Sequence, residues 1–211
     1  MYTRRVLLLL IAALAGLGLS SAQASGRRFL IVLIGPTGSG KTTQSEFLKK
    51  EYGIPTVNID DLIKENPGAL AKYDEPGIDP GVPQSNPAIS ELVADRLSKL
   101  DLSKGVALDG YPATKDQADH LASLAKKFSL AAPVVIQLDV PDAVVRERLV
   151  KRRREDDTPE QIEARLKEYH RELDMVQAYY PKADIWTVDG TGTPLDVSKT
   201  IRAILEDELK K

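Results

Sequence analysis

The 211-residue chain carries 29 Lys and Arg against 31 Asp and Glu, for a formal net charge of −2, and it contains no cysteine. The lack of cysteine excludes disulfides and thiolate chemistry, and the absence of a basic tail or stripe argues against a nucleic-acid partner. The two histidines, His120 and His170, lie far apart in the sequence. We expect them to be surface residues and not metal ligands.

The first residues have the pattern of an export signal. Two arginines precede an apolar run over residues 6–19, and Ala22 and Ala24 flank a glutamine as in a small-residue cleavage site. The run is shorter than the about 20 residues that span a bilayer. The pattern therefore predicts a signal peptide over 1–24, an exported protein beginning at Ser25, and no membrane span after cleavage. An uncleaved anchor, or a misplaced start codon before a cytoplasmic protein, are the alternatives.

A glycine-rich motif begins the remaining sequence, which has the length of one domain, residues 25–211. The apolar segment 30–34 predicts a buried strand, residues 35–42 have the form G-x-x-x-x-G-K-[ST], and residues 43–50 predict a helix. This order of strand, loop and helix is typical of a phosphate-binding loop, whose backbone N–H groups surround phosphate oxygens. The predicted ATP-binding residues here are Gly35, Gly38, Ser39, Gly40, Lys41, Thr42 and Thr43. Lys41 would reach the β- and γ-phosphates and the Thr42 hydroxyl would hold Mg²⁺, the alternative being a glycine-rich turn with a surface lysine.

Strand and helix patterns alternate along the rest of the chain. Further strands are predicted over 56–59, 106–108, 134–138 and 185–188. Helices are predicted over 89–100, 116–128 and 158–180, and from near residues 142 and 193. Short buried strands that alternate with helices indicate an α/β fold with a doubly wound, parallel, five-stranded sheet flanked by helices.

One segment does not follow this alternation. Residues 66–87 contain five prolines and three glycines, a composition typical of irregular structure. In a compact domain such a segment is usually a functional loop or a small flap. A passive surface insertion is the alternative.

Two further groups of residues are suited to phosphate chemistry. Asp109 ends the predicted strand 106–108, where an acid beside a phosphate-binding loop organises Mg²⁺ and its waters. Arg148 and Arg152, four residues apart on one helix, share a face, and Arg154 and Arg165 follow. Guanidinium groups stabilise the charge of a phosphoryl group in transfer. The alternative for these arginines is a solvated charged turn, because acidic residues adjoin them.

At this point the sequence resembles the adenylate kinases, of the P-loop nucleoside monophosphate kinase family, across residues 29–209. The motifs that carry the resemblance occur in the family's order. They are Gly40-Lys41-Thr42-Thr43-Gln44, Tyr52-Gly53, Asp61-Leu62, Leu108-Asp109-Gly110-Tyr111-Pro112 with Gln117, Arg148-x-x-x-Arg152, Asp156-Asp157, and Arg165 before Tyr169.

The resemblance implies a monomeric enzyme that transfers phosphate from ATP·Mg²⁺ to AMP. Residues 58–87 would form the monophosphate-binding flap and residues 152–159 a short lid. Arg148 would stack on the adenine of ATP. The implied catalytic residues are Lys41, Arg152, Arg154 and Arg165. The implied acceptor-binding residues are Asp61, Lys64, Gly110, Tyr111 and Gln117, with Gln117 on the AMP base, and the implied magnesium ligands are Thr42 and Asp109, partly through water.

The sequence departs from the family pattern mainly on the acceptor side. Thr42 replaces a glycine after the loop lysine, and Ile59 replaces a flap threonine. Lys64 and Ala113 replace two arginines that bind the acceptor phosphate, and a lysine supplies only a point charge where arginine forms two-point contacts. The donor side is complete. Kinases for CMP, UMP or another small acceptor, and an exported nucleotide-binding protein with little kinase activity, are therefore the alternatives to an AMP kinase.

Overall fold

The computed structural model describes residues 27–69, 87–155 and 157–210. Its sheet has five parallel strands in the order β2-β3-β1-β4-β5. The strands are β1 (Phe29–Ile34), β2 (Thr56–Asn58), β3 (Gly105–Asp109), β4 (Pro133–Asp139) and β5 (Ile185–Asp189). The chain leaves the central strand β1 toward one edge and returns to build the other. The predicted doubly wound five-stranded sheet is thus confirmed.

Strand β1 explains why the sheet is covered on both faces. All six of its residues are buried, as expected for a continuous apolar run in a parallel sheet. Leu30, Val32 and Ile34 belong to one core cluster, whereas Phe29, Ile31 and Leu33 belong to another. Successive side chains of a strand point to opposite faces, so this one strand supplies both cores.

Seven α-helices lie in the described parts of the chain. They are α1 (Lys41–Tyr52), α2 (Ile59–Glu65), α3 (Ala88–Lys99), α4 (Lys115–Lys127), α5 (Asp142–Arg152), α6 (Pro159–Tyr179) and α7 (Pro194–Glu208). Threonine hydroxyls cap α4, α6 and α7 by accepting a hydrogen bond from the backbone N–H three residues on. Helices α3, α4 and α6 contribute to the core on one face, and α1 and α7 contribute to the other. Within the described residues, none of the helices combines the length and apolar character needed to cross a membrane.

Helix α2 corrects the sequence interpretation at one boundary. Ile59, predicted as the last residue of a strand, is the first residue of α2. The reason is Asn58, whose side chain accepts a hydrogen bond from the backbone N–H of Asp61 and so starts the helix. Most of the predicted flap, residues 70–86, and the predicted signal peptide, 1–24, lie outside the described residues.

Candidate active site

The site lies where the carboxyl ends of β1 and β3 meet, the edge at which parallel α/β sheets bind ligands. The glycine-rich loop follows β1 and leads directly into α1. Gly40, the residue before that helix, has φ 102°, a left-handed conformation that favours glycine. At Gly38 a side chain would place its Cβ only 3.0 Å from Leu149. These two glycines let the loop turn tightly between strand and helix.

The side chain of Lys41 folds back onto the glycine-rich loop. Its ammonium group donates hydrogen bonds to the carbonyl oxygens of Gly35 and, at 3.3 Å, of Pro36. The Lys41 Nζ also lies 3.8 Å from Oδ1 of Asp109, the last residue of β3. The sheet register explains this proximity, because Leu33 of β1 is paired with Asp109. The structure therefore brings the predicted phosphate-binding lysine and the predicted magnesium-side acid together.

Asp109 is a buried carboxylate, only 4% exposed. Burial raises the pKa of the Asp109 carboxyl, whereas the Lys41 charge and the hydrogen bond from Asn58 act in the opposite direction. The Asn58 amide nitrogen donates to Asp109 Oδ2 at 2.8 Å. One carboxylate oxygen is thus bonded to the neighbouring strand while the other faces Lys41.

The hydroxyl groups of the loop differ in exposure. Ser39 is buried, and its hydroxyl has no hydrogen-bond partner among the described residues. Thr42 and Thr43, in the first turn of α1, are exposed. A threonine hydroxyl and a carboxylate are hard oxygen donors of the kind that Mg²⁺ prefers. Among the described residues no three His, Cys, Asp or Glu side chains gather as a metal site. Thr42 and Asp109 are of the donor type for a Mg²⁺ ion that keeps several waters and takes one or two protein oxygens beside substrate phosphates.

Arg148 joins the glycine-rich loop to the segment after β5. Its guanidinium donates to the carbonyl oxygen of Gly38 at 3.3 Å, and to those of Gly190 at 2.9 Å and Thr191 at 3.3 Å. This places the planar guanidinium beside the phosphate-binding loop. The position is compatible with the predicted contact to an adenine ring.

The lid arginines meet at one carboxylate. Arg152 at the end of α5 and Arg165 on α6 both donate to Asp157, at 2.7 Å and 3.0 Å from Oδ1. The backbone N–H of Arg154 also donates to Asp157. The Asp157 side chain is 1% exposed, and the Arg152 hydrogen bond lowers the pKa of its carboxyl to about 2, against the raising effect of burial. Arg152 and Arg165 therefore lie together at Asp157, while the Arg154 side chain is exposed.

On the acceptor side, Gly110 and Tyr111 follow β3 directly. The buried Tyr111 hydroxyl lies 3.1 Å from the Ser90 hydroxyl and 3.0 Å from Nδ1 of His120. His120 is thus half-buried and bonded, which corrects the prediction that it is a surface residue. These bonds fix the loop after β3 to α3 and α4.

The remaining predicted acceptor-binding residues differ in their exposure and in their hydrogen-bond or ion-pair partners. The buried Gln117 accepts a hydrogen bond from the backbone N–H of Ala113 at 2.8 Å, through Oε1. Lys64 and Asp61 form an exposed ion pair at 3.7 Å on α2. Lys115, close to Ala113 in sequence, is exposed and paired with Asp119. Lys64 is therefore a surface cation on α2.

The sequence analysis did not identify two residues of this region, Asn58 and Glu172. Asn58 ends β2 as Asp109 ends β3, and the two are register partners, so its position at a strand end was the available signal. Glu172 lies seven residues after Arg165 on α6, and hence on the same helix face. Burial raises the pKa of the Glu172 carboxyl to about 7; Lys41 lowers it, and Asp109 and Glu168 raise it further. Helix α6 therefore carries an acid whose pKa responds to the Lys41 charge, as well as Arg165, which pairs with Asp157.

Comparison with known proteins agrees with this geometry. The family model described as adenylate kinase matches residues 33–185. The chain is 35% identical over 179 residues to the adenylate kinase of Micrococcus luteus, which covers 81% of this chain and 87% of the relative. It is 33% identical over 189 residues to the adenylate kinase of Mesorhizobium japonicum, covering 83% and 96%. The adenylate kinase of Corynebacterium urealyticum is 33% identical over 179 residues, covering 83% and 98%.

The matched region runs from the last residues of β1 to the first residue of β5, and so contains the glycine-rich loop, Asp109 and the arginine cluster. The similarity thus covers the residues that build the site as well as those that build the sheet. An enzyme with this loop and these relatives is a nucleotide phosphotransferase, and the chain belongs to the adenylate kinase family.

Proposed function

We propose that the protein catalyses ATP + AMP = 2 ADP. The observation that carries the proposal is the placement of Lys41 and Asp109, 3.8 Å apart at the mouth of the glycine-rich loop. In the proposed roles Lys41 would bind phosphate and Asp109 would bind Mg²⁺, and their proximity supports phosphoryl transfer, which uses a cation and a metal-binding acid side by side. Similarity to proteins named adenylate kinase supports ATP and AMP as the two substrates.

In this reaction an oxygen of the acceptor phosphate attacks the γ-phosphorus of ATP. The bond from that phosphorus to the bridging β-oxygen breaks, and both products are ADP. Lys41 follows the charge on the transferred group, and Arg152, Arg154 and Arg165 neutralise charge on the surrounding oxygens. No covalent intermediate is needed, so the protein contributes positioning and charge.

Magnesium and the nucleotides have separate binding groups in this proposal. Thr42 and Asp109 would hold Mg²⁺, partly through water, and the ion would supply positive charge to the phosphates when bound. Arg148 contacts the adenine of ATP, and the backbone of residues 35–43 surrounds its phosphates. The acceptor is bound by Asp61, Lys64, Gly110, Tyr111 and Gln117.

The test is a coupled assay of the chain from Ser25 with ATP and each of AMP, CMP, UMP and dTMP. We expect the highest kcat/KM with AMP, and no turnover when Mg²⁺ is chelated. A higher kcat/KM with CMP or UMP would show that this nucleotide, and not AMP, is the preferred acceptor. Binding of ATP without phosphoryl transfer to any acceptor would contradict the proposed activity.

Export remains a separate proposal, since residues 1–24 lie outside the described part of the chain. We propose that the signal peptide is removed and that the mature protein begins near Ser25. N-terminal sequencing of the protein from its native source tests this. A protein that retains Met1, or one recovered from the cytoplasm, would contradict it.

A further inference from the structure

The side chain of Asn58 contacts both halves of the site. Its amide nitrogen donates to Asp109 Oδ2 at 2.8 Å, and its amide oxygen accepts from the backbone N–H of Asp61 at 3.1 Å. The first bond ends on the magnesium-side carboxylate. The second starts α2, the helix that carries Asp61 and Lys64.

The chemistry of the amide fixes which end faces which partner. A carboxylate only accepts hydrogen bonds and a backbone N–H only donates one. Rotating the amide by 180° would place its oxygen against the Asp109 carboxylate and its NH₂ group against the Asp61 N–H. Both hydrogen bonds would then be replaced by repulsive contacts, so one orientation of Asn58 satisfies both partners.

The bond to Asn58 also decides what Asp109 can offer to a ligand. Asp109 is buried at 4% exposure, and Oδ2 is bonded to Asn58, while Oδ1 lies on the side of Lys41. Without the Asn58 donor, Oδ2 would lose a charge-assisted hydrogen bond in a buried place. The carboxylate would then gain by rotating toward Lys41, away from its present orientation.

We propose that Asn58 is a positioning residue that aligns the magnesium-side carboxylate with the root of the acceptor-side helix. This inference rests on the proposed function, because it gives Asp109 a role toward Mg²⁺. Asn58 acts through Asp109 at one end of its amide and through α2 at the other.

Three variants separate its two bonds. Asn58→Ser keeps a good helix cap, and its shorter side chain removes the amide N–H that donates to Asp109. Asn58→Ala loses both bonds. Asn66→Ala is the matched control, because the Asn66 side chain donates to the Leu62 carbonyl oxygen at the other end of α2. That control weakens the same helix and leaves Asp109 untouched.

The main readout is the gain in ATP affinity that Mg²⁺ provides, measured by calorimetry as the ratio of Kd in EDTA to Kd with Mg²⁺. We expect Asn58→Ser and Asn58→Ala to reduce this ratio about tenfold, as for loss of a hydrogen bond to a charged group. Asn66→Ala should leave the ratio unchanged. In kinetics, Asn58→Ser should lower kcat at a nearly constant acceptor KM, whereas Asn58→Ala should also raise that KM.

Circular dichroism and melting temperatures establish that each variant is folded before binding is compared. A wild-type ratio in a folded Asn58→Ser would overturn the inference and leave the proposed function intact. Equal loss in Asn66→Ala and Asn58→Ser would also overturn it, because the effect would then come from α2 as a whole. By contrast, a wild-type chain that binds Mg·ATP but transfers no phosphate would overturn the proposed function, while the calorimetric ratios would still decide the role of Asn58.

Discussion

The guanidinium of Arg152 forms a two-point ion pair with the carboxylate of Asp157, with Nε to Oδ2 at 2.9 Å and Nη2 to Oδ1 at 2.7 Å. Such a paired geometry fixes the plane of an arginine far better than a single contact does. The same carboxylate also accepts from Arg165. One acid therefore holds two cations from different helices at the lid.

Replacing Arg152 or Arg165 by alanine should lower kcat by about 10²-fold, the usual cost of removing a charge partner of the transition state. Stopped-flow or coupled-enzyme assays with saturating ATP and AMP measure this kcat. Arg146→Ala is the matched control, because Arg146 lies on the same helix as Arg152 but pairs with the exposed Glu163. Wild-type kinetics in both variants would show that these arginines are ordinary surface charges.

Lys41→Ala should nearly abolish turnover while the fold persists. The lysine is bonded to loop carbonyls and lies near Asp109, so its removal takes away the cation that accompanies the transferred phosphate. Lys49→Ala, an exposed lysine on the same helix, should retain activity within about twofold, as surface substitutions usually do. Activity of Lys41→Ala within a few-fold of wild type would refute the assignment of the loop.

Much of this site was predictable because its residues follow strand ends. The glycine-rich loop after β1 and Asp109 at the end of β3 stand where parallel strands deliver ligand-binding groups. Adjacent strands of the sheet bring them together, and the alternation of strands and helices was enough to predict that sheet. The spacing of Arg148 and Arg152 likewise placed both on one face of α5.

The parts that were missed depend on tertiary neighbours. Asn58 reads as a polar strand residue until β2 is placed beside β3, where its amide reaches Asp109. His120 lies among polar residues of α4, and only the fold brings it to the Tyr111 hydroxyl. Glu172 is one acid among several on α6, and the raised pKa of its half-buried carboxyl depends on neighbours that only the fold brings to it. Local pattern carries no information on such long-range contacts.

Glu172 should make the stability of the folded chain depend on pH. Burial raises the pKa of its carboxyl from 4.5 to about 7. The folded chain therefore holds a proton that the unfolded chain has released between these values, and the free energy of unfolding falls as pH rises through this window. Above pH 7 the free energy of unfolding is lower by the full contribution of this group, at most roughly 3 kcal/mol.

Glu172→Gln should accordingly raise the melting temperature at pH 8 and change it little at pH 4.5. Urea or thermal unfolding at several pH values between these limits measures the difference. Glu206→Gln, an exposed acid on α7, serves as the control and should show no such trend. A difference between Glu172→Gln and wild type that is independent of pH would show that Glu172 is not buried as a carboxylic acid.

The acceptor phosphate gives the last prediction, at Ala113. Ala113 is half-buried, its backbone N–H is bonded to Gln117, and the nearby Lys115 is paired with Asp119. No arginine stands at this position to bind a phosphate in two-point fashion. Ala113→Arg should therefore lower the KM for AMP by about ten- to a hundred-fold, the worth of a charge-assisted hydrogen bond, and leave the KM for ATP unchanged.

Ala113→Lys separates charge from geometry, because a lysine adds only a point charge and should give a smaller gain. Steady-state kinetics with each nucleotide varied in turn make the comparison. If Ala113→Arg leaves AMP kinetics unaltered or harms them, residue 113 does not face the acceptor phosphate, and an acceptor other than AMP becomes the better interpretation.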